Sequence, residues 1–398
     1  MFEKIEMAPA DPILGLNDAF KNDKSPAKIN LGVGVYKNFS GETPILKSVK
    51  KAEKILLDNE KTKNYLSIEG TSEYTTAVKK LIFGEENSVI ISGRAVTVQS
   101  PGGTGALKIA ADFIKKFMPE AEIWISNPSW ENHKALFNEV GFIVNNYPYY
   151  NYETNRLDFD NLTQQLISIP SKDVVLFHAC CHNPTGIDID QEQWQKIIEI
   201  TKERKFLVLF DFAYQGFGKG LEQDAYAVRL ASEKLNNFMV ANSFSKNFGL
   251  YNERVGGLSV VLENNSIAEK VLSQLKICIR RNYSNPPSHG AAIVTTILNT
   301  PELKNEWESE LSEMRESISS NRTKLLDAFK RIGTKKDFSY MSEQQGMFSF
   351  TGLSPESVKN LRYIYSVYMT GTGRINLAGL NSKNTDRFVA AVKSVVAS

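Results

Sequence analysis

The residues best equipped for chemistry lie in the run Ser243-Phe244-Ser245-Lys246, with Arg254 eight positions further on. They follow a short apolar segment, 238–241, that reads as a strand rising into a polar loop. A lysine held near a second cation and partly desolvated has a lowered pKa, so its neutral amine can attack an aldehyde and form a Schiff base. The neighbouring hydroxyls, backbone amides and guanidinium suit one phosphate. Together they point to a carbonyl cofactor that carries a phosphate. Taken in isolation, the same residues also fit a solvated strand-to-loop connection.

Four further clusters end or follow strand-like runs. Pro101-Gly102-Gly103-Thr104-Gly105 sits between a strand and a helix, where amides and a helix amino end can hold a phosphate. It has neither the Walker spacing nor the dinucleotide fingerprint. Trp130 and His133 follow Ser126-Asn127-Pro128-Ser129; the indole suits stacking on a planar heterocycle or packing in a core. In His178-Ala179-Cys180-Cys181-His182-Asn183-Pro184, histidines and cysteines crowd together, but no second ligand pair at structural-zinc spacing exists, so no metal is expected. Asn183, before a proline, offers an amide in a constrained turn. Asp211 closes the apolar run 206–210 and calls for a partner there, either a protonated pyridine nitrogen or a helix end that it caps. Tyr214, three residues on, can donate its hydroxyl to a phenolic oxygen. Arg280 and Arg374 are forks suited to carboxylates, or simply solvated side chains.

These groups need a scaffold. Strand-like runs are expected at 95–99, 122–126, 142–147, 174–178, 207–210, 238–241 and 257–262, with helix-like segments such as 105–116, 130–140, 157–169 and 191–204 between them. Such alternation argues an α/β fold with a mostly parallel sheet covered on both faces and ligands at the strands' carboxyl ends. Earlier, helical spacing covers 44–59 and 73–83, with a loop around Lys63-Asn64-Tyr65. The glycine-broken run 29–36 is either a close approach of backbone to a ligand, at Gly34, or a plain strand with a bulge. The first residues, with Asp11-Pro12, read as an arm before a short helix at 14–20. After Pro301 a long polar helix, 302–329, then short strands at 348–350 and 373–377, describe a second, α+β domain.

With 398 residues the chain suggests two domains and room for a large core. A net charge of +2 without a basic run indicates no nucleic-acid or anionic-membrane partner. No apolar segment is long enough to span a bilayer, and the amino terminus has no signal-like core, so a cytoplasmic enzyme is expected. Three cysteines, two of them adjacent, are not a disulfide framework.

Asn183-Pro184-Thr185-Gly186, Asp211 with Tyr214, Ser243-Phe244-Ser245-Lys246 with Arg254, and Gly373-Arg374-Ile375-Asn376 occur in that order. With this set the chain resembles class I aminotransferases of the aspartate aminotransferase subgroup over essentially its whole length. The resemblance implies a pyridoxal 5'-phosphate enzyme of fold type I, with a seven-stranded, mostly parallel sheet in the large domain. It implies an amino-terminal arm and first part of the small domain over 1–46, a cofactor domain over 47–312 and the rest of the small domain over 313–398. It also implies a homodimer with active sites shared across the interface, the arm packing on the partner. By the same resemblance Lys246 is the Schiff-base lysine and proton shuttle, and Asp211 the pyridine-nitrogen partner supported by His133. Asn183 and Tyr214 serve the phenolic oxygen. Gly103, Thr104, Ser243, Ser245 and Arg254 hold the phosphate, joined by Tyr65 of the other subunit. Arg374 clamps the substrate α-carboxylate with Gly34 and Trp130, and Arg280, donated across the dimer, binds the side-chain carboxylate.

The expected reaction is ping-pong transamination of L-aspartate and 2-oxoglutarate. Segments around Trp130, Asp224 and Arg254 are also similar to aromatic (tyrosine) aminotransferases, so dual specificity is an open alternative. Other pyridoxal enzymes, such as decarboxylases or lyases, share Lys246 and Asp211, and a non-catalytic binding protein would keep the fold without turnover.

Overall fold

A computed structural model describes residues 1–7 and 14–396. The expected arm residues Asp11 and Pro12 lie outside the described residues. The chain divides into two compact units, one made of Pro44–Asn183 with Ile187–Glu316, the other of Met1–Thr43, Pro184–Gly186 and Ser317–Ser398.

The larger unit is built on seven strands: β1 (Ala95–Pro101), β2 (Ile123–Asn127), β3 (Val144–Pro148), β4 (Val174–His178), β5 (Leu207–Phe212), β6 (Phe238–Ser243) and β7 (Val255–Val261). Their order across the sheet is β1-β7-β6-β5-β4-β2-β3. β7 runs antiparallel to both of its neighbours, and the other adjacent strands are parallel. Every residue of β4, β6 and β7 is buried, which is why these strands read as continuous runs rather than alternating ones. Each expected strand is present, displaced at its ends by a few residues at most.

One covering helix, α1 (Gly102–Phe117), turns Ala106, Leu107, Ile109, Ala110 and Ile114 inward. They pack with Val98, Ile123, Leu176, Leu209, Met239, Leu258 and Val260 in one core. Helical period thus supplies one face of that core and strand pairing the other. α2 (Glu131–Glu139) follows β2, and α3 (Gln191–Arg204) starts at a capping box in which Asp190 accepts from the Gln193 amide and the Gln193 side chain accepts from the Asp190 amide. α4 (Asn265–Asn282) and α5 (Pro301–Ile332) come later.

In the smaller unit, Ile29–Asn30 pairs in parallel with Val367–Tyr368, and Phe348–Phe350 pairs antiparallel with Arg374–Asn376. Only the first two residues of the run 29–36 form a strand. Gly34 lies so near Phe348 that a Cβ would stand 2.9 Å from the ring, so here glycine serves close packing. Among the described residues no helix is long and apolar enough to cross a membrane.

Candidate active site

The candidate groups of the larger unit gather where its strands end. β5 carries Asp211 in its last residues, and Tyr214 follows in the next turn. The neighbouring β6 leads into Phe244, Ser245 and Lys246. The two strands run in parallel register, with Asp211 opposite Ala241, so both loops leave the sheet on the same edge. Lys246 Nζ lies 4.8 Å from the centroid of the Tyr214 ring.

Asp211 is 7% exposed, and its Oδ2 lies 2.8 Å from His133 Nε2. His133 comes from the first turns of α2, and its Nδ1 is 2.9 Å from Ser129 Oγ. Asp211 therefore caps no helix; its carboxylate belongs to a buried pair. Burial is the largest influence and pushes its pKa up. The hydrogen bond and charge of His133, followed by His178 and last the Lys246 amine, outweigh it and hold the carboxyl below the usual range. An anionic carboxylate is thus maintained in a dry place, as a pyridinium partner requires. Ser129 had drawn no role from sequence; its position four residues before His133 is the signal that would have found it.

Asn183 is buried at the end of the turn that follows β4. That turn is pinned by Asp188, whose two oxygens accept the Cys181 and His182 amides at 2.8 Å each. The crowded histidines and cysteines separate in space. His178 groups with His133 and Asp211, whereas Cys180 and Cys181 group with Asp224. Burial holds the His178 imidazole down to about 3, so it is neutral.

At the other end lies an anion cradle. α1 starts at Pro101 with no side-chain cap and no acid in its first turn, leaving the amides of Gly102, Gly103 and Thr104 at the positive helix end. Arg254 Nη2 would stand 2.5 Å from a Cβ on Gly102, whose φ is +72°. Arg254 Nη1 donates to Ser245 Oγ at 3.1 Å, and Ser243 Oγ accepts the Ser245 amide at 3.2 Å. A guanidinium beside a helix amino end is repulsive unless an anion joins them, so these residues fit a phosphate.

Trp130 stands at the amino end of α2, its ring edge-on to His133 at 5.1 Å. Tyr65 is 93% exposed in an irregular segment. Arg280, to which the sequence reading assigned no element, lies exposed in the last turn of α4 and bonds Ser284. In the smaller unit Arg374 is buried, donates to the Gly32 carbonyl at 2.7 Å and holds its guanidinium carbon 4.1 Å above the Phe348 ring.

An amine beside an aromatic ring, a buried carboxylate paired with an imidazole, and an anion cradle at a helix amino end are the equipment of a pyridoxal-type site. The family described as "Aminotransferase class I and II" matches residues 26–392, and the chain belongs to that family. Among its relatives it is similar to the aspartate aminotransferase of Escherichia coli, 50% identical over 396 residues and covering all of both chains. It is likewise similar to that of Haemophilus influenzae, 52% identical with 96% of this chain and 97% of that one covered. Among solved structures, an aromatic-amino-acid aminotransferase from Burkholderia pseudomallei covalently bound to pyridoxal phosphate superposes with a TM-score of 0.97 at 47% identity, covering 100% of this chain and 99% of that one.

Proposed function

We propose that this protein is an aspartate aminotransferase that uses pyridoxal 5'-phosphate to convert L-aspartate and 2-oxoglutarate into oxaloacetate and L-glutamate, in two half-reactions. The observation that carries the reading is Lys246 Nζ at 4.8 Å from the Tyr214 ring, in the loops that follow β6 and β5, with the buried Asp211–His133 pair at the end of β5. The full-length identity to two aspartate aminotransferases supports aspartate as donor.

Pyridoxal phosphate, when bound, supplies an aldehyde for an amine and a ring that withdraws electrons from the substrate α-carbon. Gly103, Thr104, Ser243, Ser245 and Arg254 hold its phosphate, with Tyr65 reaching the same group of the partner subunit in a homodimer. Asp211, held below the usual carboxyl range with His133 beside it, would pair with the pyridine nitrogen, Asn183 and Tyr214 would donate to the phenolic oxygen, and Trp130 would stack on the ring. Lys246 is the cofactor-binding amine and the base that would carry the proton between the substrate α-carbon and the cofactor's C4′. Arg374 and Gly34 bind the substrate α-carboxylate. Arg280, donated across the dimer, binds the second carboxylate as a bidentate fork. Three free thiols suit the reducing cytoplasm.

The test is Lys246→Ala. Purified wild-type protein should show the cofactor's visible absorbance and transaminate aspartate. The variant should lose that absorbance and nearly all turnover; retention of both would falsify the assignment. The similarity to an aromatic-amino-acid aminotransferase carries a second reading, dual specificity, which comparing aspartate with tyrosine and phenylalanine as donors decides.

A further inference from the structure

The residue after the lysine, Asn247, joins two loops of the site. Asn247 is 1% exposed, and its Nδ2 donates to the Gln215 carbonyl at 3.2 Å. Gln215 is the residue after Tyr214. The loops that bear the amine and the phenolic ring are therefore tied to each other one residue beyond each functional group. Both anchors are held in turn. The Asn247 carbonyl accepts the Trp307 indole N–H at 2.7 Å, and Trp307, fully buried on α5, stacks on Phe248 with centroids 4.3 Å apart. Gln215 Nε2 donates to the carbonyls of Leu81 and Leu221 at 3.2 and 3.1 Å. The next carbonyl along, that of Gly216, accepts from Arg315 at 2.9 Å.

We infer that Asn247 is a positioning residue for Lys246, its buried amide clamping the lysine loop to the tyrosine loop and so fixing the amine against the Tyr214 ring. The inference rests on the function proposed above for Lys246. Its physical basis is that a strand end followed by a turn leaves a lysine several rotatable bonds from any rigid anchor, and proton transfer demands a narrow range of approach. Asn247 Oδ1 is buried without a hydrogen-bonding partner in the structure, an orphan that works against stability. The side chain thus bonds through its donor alone.

The test uses holoenzyme and apoenzyme of Asn247→Leu, which keeps the size and removes the donor, and of Trp307→Phe, which keeps the ring stack and removes the indole N–H. Expected are a fall in kcat of about 10- to 100-fold for Asn247→Leu, with KM for aspartate nearly unchanged, and a smaller fall of the same kind for Trp307→Phe. The pH titration of the cofactor's visible absorbance should shift in both. In the apoenzyme, the rate at which an acylating reagent labels Lys246 should show an altered pH dependence. Variants that fold, lose thermal stability and leave the titration, the labelling and kcat as in the wild type would overturn the inference and make the bond purely structural. A wild-type protein with no visible absorbance and no transamination would instead sink the proposed function itself, so the two failures are distinguishable.

Discussion

His133 Nε2 and Asp211 Oδ2 lie 2.8 Å apart with both side chains buried, although 78 positions separate them in the chain. The pair joins the start of α2 to the end of β5 and gives the carboxylate the partner that burial otherwise denies it. Asp211 has a depressed folded-state pKa, so its contribution to stability is present above the ordinary carboxyl value and lost as pH falls through the folded value. Replacing His133 by Asn should let the Asp211 pKa rise. With a hydrogen bond to a charged group worth about 1.5–3 kcal/mol, kcat/KM should drop by roughly 10- to 100-fold and the cofactor should dissociate faster. Unchanged cofactor release and kinetics would show that the imidazole is not needed there.

The phosphate cradle is open to a separate check. Arg254→Ala removes the guanidinium from the amino end of α1, and Gly102→Ala puts a Cβ 2.5 Å from Arg254 Nη2 at a φ of +72°. Both should weaken pyridoxal phosphate binding, Arg254→Ala by about 10- to 100-fold, measured by equilibrium dialysis against apoenzyme. Pyridoxal, which has no phosphate, should be held by variant and wild type alike. Equal losses for both compounds would remove Arg254 from the cradle.

Arg280 offers a specificity test. Its exposure in the single chain suits a residue donated elsewhere. Arg280→Leu should cut kcat/KM for aspartate by about 100-fold or more and that for phenylalanine by less than about tenfold, because only the former has a second carboxylate for the fork. A uniform loss would assign it a structural role.

The pH dependence of stability follows from the buried imidazoles. His178 is held down to about 3 by burial, and His182 also lies well below the usual value. Below about 6.5 the unfolded chain takes up protons that the folded chain refuses, so stability falls as pH drops, by up to about 1.4 kcal/mol per pH unit for each such group. Asp188, pushed up to about 6 by burial, works in the opposite sense: its contribution is full below the ordinary carboxyl value of 3.8 and is lost as pH rises through about 6. Asp224, also raised by burial, acts in the same sense as Asp188, but both start from the lower carboxyl value, whereas the imidazoles start from about 6.5. The urea midpoint should therefore fall between pH 7 and pH 5, and His178→Asn should flatten that slope. A slope unaltered by the substitution would place the acid sensitivity elsewhere.

Most of the seven strands were readable as compact apolar runs, whereas Val144–Pro148, Val-Asn-Asn-Tyr-Pro, was legible only with Phe142 and Ile143 ahead of it; α3 was readable to the residue, from Gln191 to Arg204. The run 29–36 was harder. Its apolar residues suggest a strand, yet the paired register covers only Ile29 and Asn30 against Val367–Tyr368, and at Leu31 the chain divides its bonds, its amide donating to Tyr368 and its carbonyl accepting from Asn376. No local signal carries the length of a partner lying more than three hundred residues away. Arg280 is similar: its charge was visible, but its seat in the last turn of α4 depends on a helix whose cap, Asn264 accepting the Ile267 amide, lies sixteen positions upstream.

The sequence by itself determined which residues carry reactive groups, that strands and helices alternate, that Lys246 and Asp211 stand at or just beyond a strand end and that Arg254 stands just before a strand, because these are matters of side-chain type and local period. Only the tertiary structure decided that β5 and β6 are neighbours, that β7 runs against them, that His133 stands behind Asp211, and that Asn247 reaches Gln215. Those facts come from strand pairing and core packing between distant segments, whose free energy depends on the whole buried interior and leaves no mark in any short window of residues.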